Sequence, residues 1–506
     1  MLNELWSKIV AFFSSIVMAI AALFGLGGGT PEPTPDPEPE IPVIVEHGDW
    51  LLENIPAYGA GLYSTALYNT GTGMDYEYAA AEDEDEPAAP ADDEDEGNAD
   101  PEPEATHKDS YMQLVSSTTA ADFDAYCGTL ETNGYTLSFG NQIENNLYRA
   151  YEKEGQSVYL IHDGNRHVTR VIDDCVNTVS LSQFGYDAKT ASAGEHAQPG
   201  VYQFSYPYYD PVTHTIPDLY ASNGMLYVIL LPDNRLVVID AGAAKQSTEQ
   251  NVAEFVRFVR KLTGKTKHDV IDIALWYGTH SHADHINFFS KTIRKFHGQF
   301  NVQRAMFNYQ SMDTVAYTTK VNRLKLRFSM WYPDMQYIKP RCGYSFNLGE
   351  AKFEVLYTHE EMVNPLDATY AITNANDAST VVKMTLGGKS FLFLGDSNLI
   401  VEDTLLKNFT AATLHTDVLQ AAHHMYNDLT RLYPVVAPTY VLCPQSKVRT
   451  VQTGLTAYQT LLKIVPEENL YFAGDNIIYG FLPQSDGTIL ITEAPDACGA
   501  YDNSSL

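Results

Sequence analysis

The segment His280-Ser281-His282-Ala283-Asp284-His285 places four potential metal ligands within six residues. Imidazole nitrogens and a carboxylate in this proportion suit zinc, iron or manganese. The cluster follows the apolar run Ile271-Asp272-Ile273-Ala274-Leu275-Trp276-Tyr277, which reads as a buried strand. It precedes Ile286-Asn287-Phe288-Phe289, which opens an amphipathic helix. A strand-to-helix turn can point all four side chains into one pocket, and the helix start behind it favours bound negative charge. Apolar sequence on both sides argues against a solvated surface loop.

Three further features repeat the strand-end placement. Phe391 to Leu394 ends in Gly395-Asp396, a carboxylate able to bridge two cations, and Val418 to Ala422 ends in His423-His424. Asp240 closes the strand Leu236 to Ile239, where it could orient a ligand histidine through the ring nitrogen that faces away from a metal. A lone Gly-Asp is usually a turn and a lone His pair is often incidental. Joined to the first cluster, they supply enough ligands for two metals.

These residues need a framework. Met225 to Leu231 and Leu236 to Ile239 predict a hairpin across Pro232-Asp233-Asn234-Arg235, followed by a helix from about Ser247 to Leu262. Phe353 to Tyr357 and Thr380 to Leu386 add strands, and the alternation of strands and helices predicts a layered α/β architecture. This region, 196–495, is the expected catalytic domain. Before it, residues 47–195 predict a small α+β accessory domain: a helix from Thr119 to Leu130 ended by Asn133-Gly134, then four short strands between Tyr135 and Ile172. No catalytic constellation is visible there.

The chain has 506 residues, 44% hydrophobic, with a net charge of -32. Much of that charge sits in an acidic insert over 79–108, whose Glu82-Asp83-Glu84-Asp85-Glu86 and Asp92-Asp93-Glu94-Asp95-Glu96 blocks predict disorder. The rest remains acidic, so charge does not favour nucleic acid or anionic lipid as a partner, although nucleic acid is not excluded as a substrate. Residues 1–30 contain an apolar stretch, 9–26, whose roughly 27 Å of helix would match a bilayer core. It reads as a transmembrane anchor or signal, and the Pro/Glu-rich segment 31–46 as an extended spacer. Lys8 gives a positive-inside signal, which places the catalytic domain outside the cytoplasm, tethered or secreted. Five scattered cysteines without CxxC spacing give no sign of a disulfide framework or a thiolate metal site, and the odd count leaves at least one thiol unpaired within the chain.

With Asp240, the HxHxDH cluster at 280–285, Gly395-Asp396 and His423-His424 in view, the chain over about 200–490 resembles the metallo-β-lactamase superfamily. The finer pattern is similar to the branch of ComEC-type DNA-uptake proteins and phosphorylcholine esterases, through Asn376-Asp377-Ala378-Ser379 and the doubled His423-His424. The resemblance implies an αββα sandwich and two divalent metal ions, zinc foremost, with manganese or iron as alternatives. It assigns His280 and His282 to one metal, Asp284 and His285 to the other, Asp396 to both and His424 to the second. Successive residues leaving a strand point to opposite sides, so His423 is expected to meet the substrate or leaving group.

Two departures from the pattern follow. Asn376 stands in a region where many members place a metal-binding His, so the first metal would lack a protein ligand; Asn376 or water would fill the position, with His359 the nearest substitute. Met425 replaces a usual Gly and is expected to narrow the room beside the doubled His.

The implied activity is hydrolysis of a phosphoester by hydroxide generated from a shared, acidified water. Asp284 would orient the hydroxide and His423 would protonate the leaving group. A thioester or lactam hydrolase on the same site and a non-catalytic cell-surface binding protein on this scaffold are the alternatives.

Overall fold

The computed structural model describes residues 48–74, 109–174, 176–187, 196–204, 225–242, 247–310, 319–362, 372, 374–473 and 477–493. The apolar stretch 9–26, the spacer and the whole of the acidic insert 79–108 lie outside these. Among the described residues no helix is long and apolar enough to cross a membrane.

The first seven strands are β1 (Leu62–Tyr63), β2 (Tyr68–Thr72), β3 (Asp109–Ser116), β4 (Thr136–Ile143), β5 (Asn146–Lys153), β6 (Gln156–Asp163) and β7 (Val168–Asp173). They form an antiparallel sheet in the order β1-β3-β7-β6-β5-β4, with β2 also on β3. Helix α1 (Ala120–Thr132) starts where Thr119 and Asp122 bond each other's backbone amides in a capping box. Its Phe123, Tyr126 and Leu130 cover one face of the sheet, against Val115, Val158, Leu160 and Val171. The other face, through Met112, Leu114, Tyr148 and Tyr159, shares a core with the strands that follow. Two glycines set that close approach. A Cβ on Gly343 (φ +84) would collide with the Tyr148 ring, and one on Gly71 (φ +93) would lie 2.6 Å from the Tyr309 carbonyl oxygen.

After the short helix α2 (Leu181–Phe184), strands β8 (Gly200–Gln203), β9 (Tyr227–Leu230), β10 (Leu236–Ile239), β11 (Ile271–Gly278), β12 (Phe300–Val302), β13 (Arg304–Phe307) and β14 (Gln336–Ile338) join two strands from the chain's end. The order is β14-β13-β11-β10-β9-β8, then those two, β22 (Tyr479–Pro483) and β23 (Ile489–Glu493), with β12 on β11. A third sheet runs β15-β16-β17-β18-β19-β20-β21: Ser345–Leu348, Ala351–Tyr357, Val381–Leu386, Lys389–Phe393, Val418–Gln420, Tyr440–Cys443 and Leu470–Phe472.

Strand periodicity sorts the layers. Tyr227, Ile229, Val237 and Ile239 enter the core between the second and third sheets, while Val228, Leu230, Leu236 and Val238 face helices α3 (Glu249–Thr263), α4 (Asn287–Phe296) and α5 (Thr319–Trp331). Helices α6 (Leu399–Asn408), α7 (Ala411–Leu414) and α8 (Leu432–Val436) pack with the third sheet. A mixed α/β molecule of this layering is consistent with the expected metallo-β-lactamase-like sandwich.

Candidate metal centre

The second and third sheets each contain a parallel pair near the middle, β10 beside β11 and β18 beside β19. Parallel strands bring their C-terminal ends to one edge, and the candidate residues leave from those four ends: Asp240, His280, Asp396 and His423. Backbone bonds stitch the ends together, Asp240 N to Tyr277 O at 2.8 Å, Thr380 N to Thr279 O at 2.9 Å and His423 N to Gly395 O at 3.1 Å. Gly395 has φ +57, and a Cβ there would lie 2.9 Å from the Thr279 Cβ, so glycine lets the two sheets meet at the centre.

Buried Gln420 holds the Asp396 loop. Its Oε1 accepts from the amides of Leu394 and Gly395 at 2.8 and 2.7 Å, and its Nε2 donates to the Gly395 carbonyl at 3.0 Å. Ser379 Oγ accepts from the Asp396 amide at 3.1 Å.

The side chains converge on one carboxylate oxygen. Asp396 Oδ2 lies 3.3 Å from His285 Nε2, 3.7 Å from His280 Nε2, 3.7 Å from His423 Nε2 and 3.8 Å from His424 Nε2. His280 Nε2 is 3.0 Å from His282 Nδ1, and Asp284 Oδ2 is 3.3 Å from His424 Nε2. Two groups of ligand atoms result, His280 with His282 and Asp396, and Asp284 with His285 and His424, each drawn within 4.8 Å.

Outer contacts fix the rings. Asp240 Oδ2 takes His285 Nδ1 at 2.8 Å, and both Asp240 oxygens accept from Thr279, its amide at 2.7 Å and its hydroxyl at 2.8 Å. The Pro444 carbonyl lies 3.2 Å from His424 Nδ1. These contacts leave Nε2 of both rings toward the centre. Buried His285 Nε2 and Asp396 Oδ1 make no hydrogen bond. Buried imidazole and carboxylate atoms left in this state, packed around a shared oxygen, fit a pair of divalent cations.

Charge is divided unevenly. Burial and the charge of His285 push His280 well down and His282 down. Burial opposes charge on His285 and His424 as well, but Asp396, with Asp240 for the former and Asp284 for the latter, pushes both up. Burial also works against Asp396 and Asp284, yet the surrounding imidazoles hold both carboxyls well below the ordinary range. Burial pushes the Asp240 carboxyl up despite its bonds to His285 and Thr279.

All six expected ligands, and His423, therefore meet at one edge. The expectation that His423 and His424 point to opposite sides fails for a backbone reason. His423, His424 and Met425 have φ of 48°, 48° and 69°. This left-handed turn, not an extended strand, brings both imidazoles to Asp396. Met425 adopts a glycine-like φ, and its side chain is fully buried in the apolar core.

His359 is engaged elsewhere, with Nε2 2.8 Å from Asn308 Oδ1. Asn376 stands at the centre's margin, its Nδ2 3.4 Å from His423 Nε2 and its buried Oδ1 without a hydrogen bond. Sequence reasoning passed over Gln420 and Thr279; a lone polar residue inside the run Val418 to Ala422 was the available signal for the first.

No family model matches the chain, and no curated protein matches it. Among solved structures, CmlA, a diiron beta-hydroxylase from Streptomyces venezuelae, is similar over 60% of this chain and 55% of that one, at 12% identity and a TM-score of 0.31. A mutant of the CmlA beta-hydroxylase is similar over 55% of this chain and 53% of that one, at 11% identity and a TM-score of 0.30. The chain spans little more than half the length of either. Likeness of this degree assigns no reaction, and the reading of the centre rests on its own side chains.

Proposed function

We propose that the chain is a binuclear metal-dependent hydrolase of phosphoesters. One cation would be held by His280, His282 and Asp396, the other by Asp284, His285 and His424, with Asp396 shared. The observation that carries this reading is the placement of four imidazole nitrogens within 3.3 to 3.8 Å of the single buried oxygen Asp396 Oδ2. Two cations here would supply a Lewis acid and a bound water acidified from about 15.7 toward neutrality.

The protein's own groups do the rest. Asp240 holds the His285 ring so that Nε2 faces inward. The Asp284 side chain is 35% exposed and that of His423 is 30% exposed, so both stand at the accessible edge. Asp284 can orient an attacking water, and His423, beside Asn376, can deliver a proton to a leaving alkoxide.

The test is a panel of chromogenic phosphodiester, phosphomonoester, thioester and lactam substrates with zinc, manganese or iron restored, alongside elemental analysis. About two metals per chain with phosphoester turnover is the expected result. Turnover of only thioester or lactam would redirect the substrate class, and no metal after careful purification would overturn the enzyme reading.

Metal uptake should also be proton-linked, because an imidazole binds metal only when neutral. His280 and His282, pushed down, are already neutral near pH 7, whereas His285 and His424, pushed up, must lose protons first. The Asp284–His285–His424 group should therefore fill at higher pH than its neighbour. Calorimetric zinc titration of metal-free protein in buffers of different ionisation enthalpy should show the second equivalent releasing more protons than the first; equal release would contradict the assignment.

We also propose that the catalytic region lies outside the cytoplasm, tethered through residues 9–26 or released. The apolar stretch and the Pro/Glu spacer support this. Protease added to intact cells should digest it, and full protection would reverse the topology.

A further inference from the structure

We propose that a cleft beside the metal centre receives an uncharged apolar leaving group, an alkyl or aryl alcohol, and so selects the ester that is cut. This rests on the phosphoester hydrolase reading above. The cleft has a volume of about 440 Å³ and is lined by Asn398, Leu399, Ile400, Tyr426, Asn427 and Asp428. Its two walls are the segments that run on directly from Asp396-Ser397 and from His424-Met425, so both continue from residues that would hold the cations. Asn427 ties the walls together, donating from Nδ2 to the carbonyls of Ser397 at 2.9 Å and Asp396 at 3.3 Å.

The chemistry of the walls is selective. Leu399 is 61% exposed, Ile400 42% and Tyr426 37%. Leu399 and Ile400 open α6, where Asn398 already caps the helix by accepting from the Ile400 amide at 3.0 Å. The helix anchors itself through Val401 and Leu405, so it needs neither exposed side chain for packing. Polar residues would serve a first helical turn as well, and apolar exposure there marks a contact surface.

The Tyr426 ring lies 5.5 Å from that of His423. Arg449 holds it, bonding its hydroxyl and lying 5.6 Å from its ring. An aryl or alkyl group seated against Tyr426 would thus leave its oxygen near His423. The Asp428 carboxylate, whose buried Oδ1 makes no hydrogen bond, disfavours a second anionic group in the same cleft. That weighs against a leaving group that carries its own phosphate.

The test uses the full zinc-loaded chain, with 2-naphthyl phosphate and methyl phosphate as esters and the double variant Leu399→Ser/Ile400→Ser. The loss of kcat/KM on 2-naphthyl phosphate should exceed the loss on methyl phosphate by about tenfold or more. Binding of 2-naphthol, followed by calorimetry on metal-free and loaded protein, should weaken by a similar factor at unchanged metal content. Equal losses on the two esters, or unchanged naphthol binding, would overturn the cleft assignment and leave the hydrolase reading standing. If the wild-type chain cuts neither these monoesters nor the matching diesters, methyl 2-naphthyl phosphate and dimethyl phosphate, the phosphoester reading fails and this inference with it.

Discussion

Asp396→Asn should empty the centre of metal and lower hydrolytic turnover by orders of magnitude, more than His282→Ala or Asp284→Asn. Asparagine keeps the shape of aspartate but removes the charge from the oxygen toward which His280, His285, His423 and His424 all converge. Two cations sharing this edge would then repel each other with one compensating carboxylate fewer. Metal-free protein would feel the change as well, because Asp396 is a main cause of the raised His285 and His424. Elemental analysis with turnover measured on the same preparation checks this, with circular dichroism to confirm the fold. Full occupancy and normal turnover in the variant would sink the ligand assignment.

The second large effect concerns stability. Arg341 is fully buried between two carboxylates, bonding Asp174 at 2.6 Å and also Glu360. Asp174 follows β7 of the first sheet, while Arg341 and Glu360 flank the start of the third. The guanidinium is the chief reason that Glu360 stays ionised, held down to about 2 against burial that would raise it. Arg341→Met should cost about 3–5 kcal/mol, because it strands two buried carboxylates without their cation. Urea unfolding would show a lower midpoint. Neutralising the acids as well, with Asp174→Asn and Glu360→Gln, should recover much of the loss. A change below about 1 kcal/mol in Arg341→Met would mean that water or neighbouring side chains already compensate the pair.

Much of the centre was legible because metal chemistry and strand ends both leave marks in a linear sequence. The run Ile271 to Tyr277 emerges as β11, the helix after it begins at Asn287, and Asp240 stands beside His285 Nδ1. Asp396 and the doubled histidine were found by the same logic, a polar side chain released at the end of an apolar strand. What stayed hidden depends on backbone conformation and on partners distant in sequence. Nothing in His423-His424-Met425 announces three successive left-handed residues, since side-chain type sets that preference only weakly outside Gly and Asn. His359 looked like a spare ligand because its buried partners, Asn308 and Glu360, cannot be paired with it from one sequence. The docking of the first sheet was equally silent. It rests on contacts such as Tyr148 over Gly343, between residues nearly two hundred positions apart.

The wide separation of the candidate ligands along the chain has a mechanical consequence. His285 and Asp396 follow strands of different sheets, β11 and β18, and a cation held by both would close a loop of about 110 residues, a cross-link that chain-entropy arguments value at roughly 4–5 kcal/mol. The cations would then act as rivets at the edge where the strand ends meet beside Gly395. Loading them would tighten the seam between the two halves of the sandwich, and chelation would slacken it from that edge inward. The candidate metal centre would thereby double as the clasp of the fold.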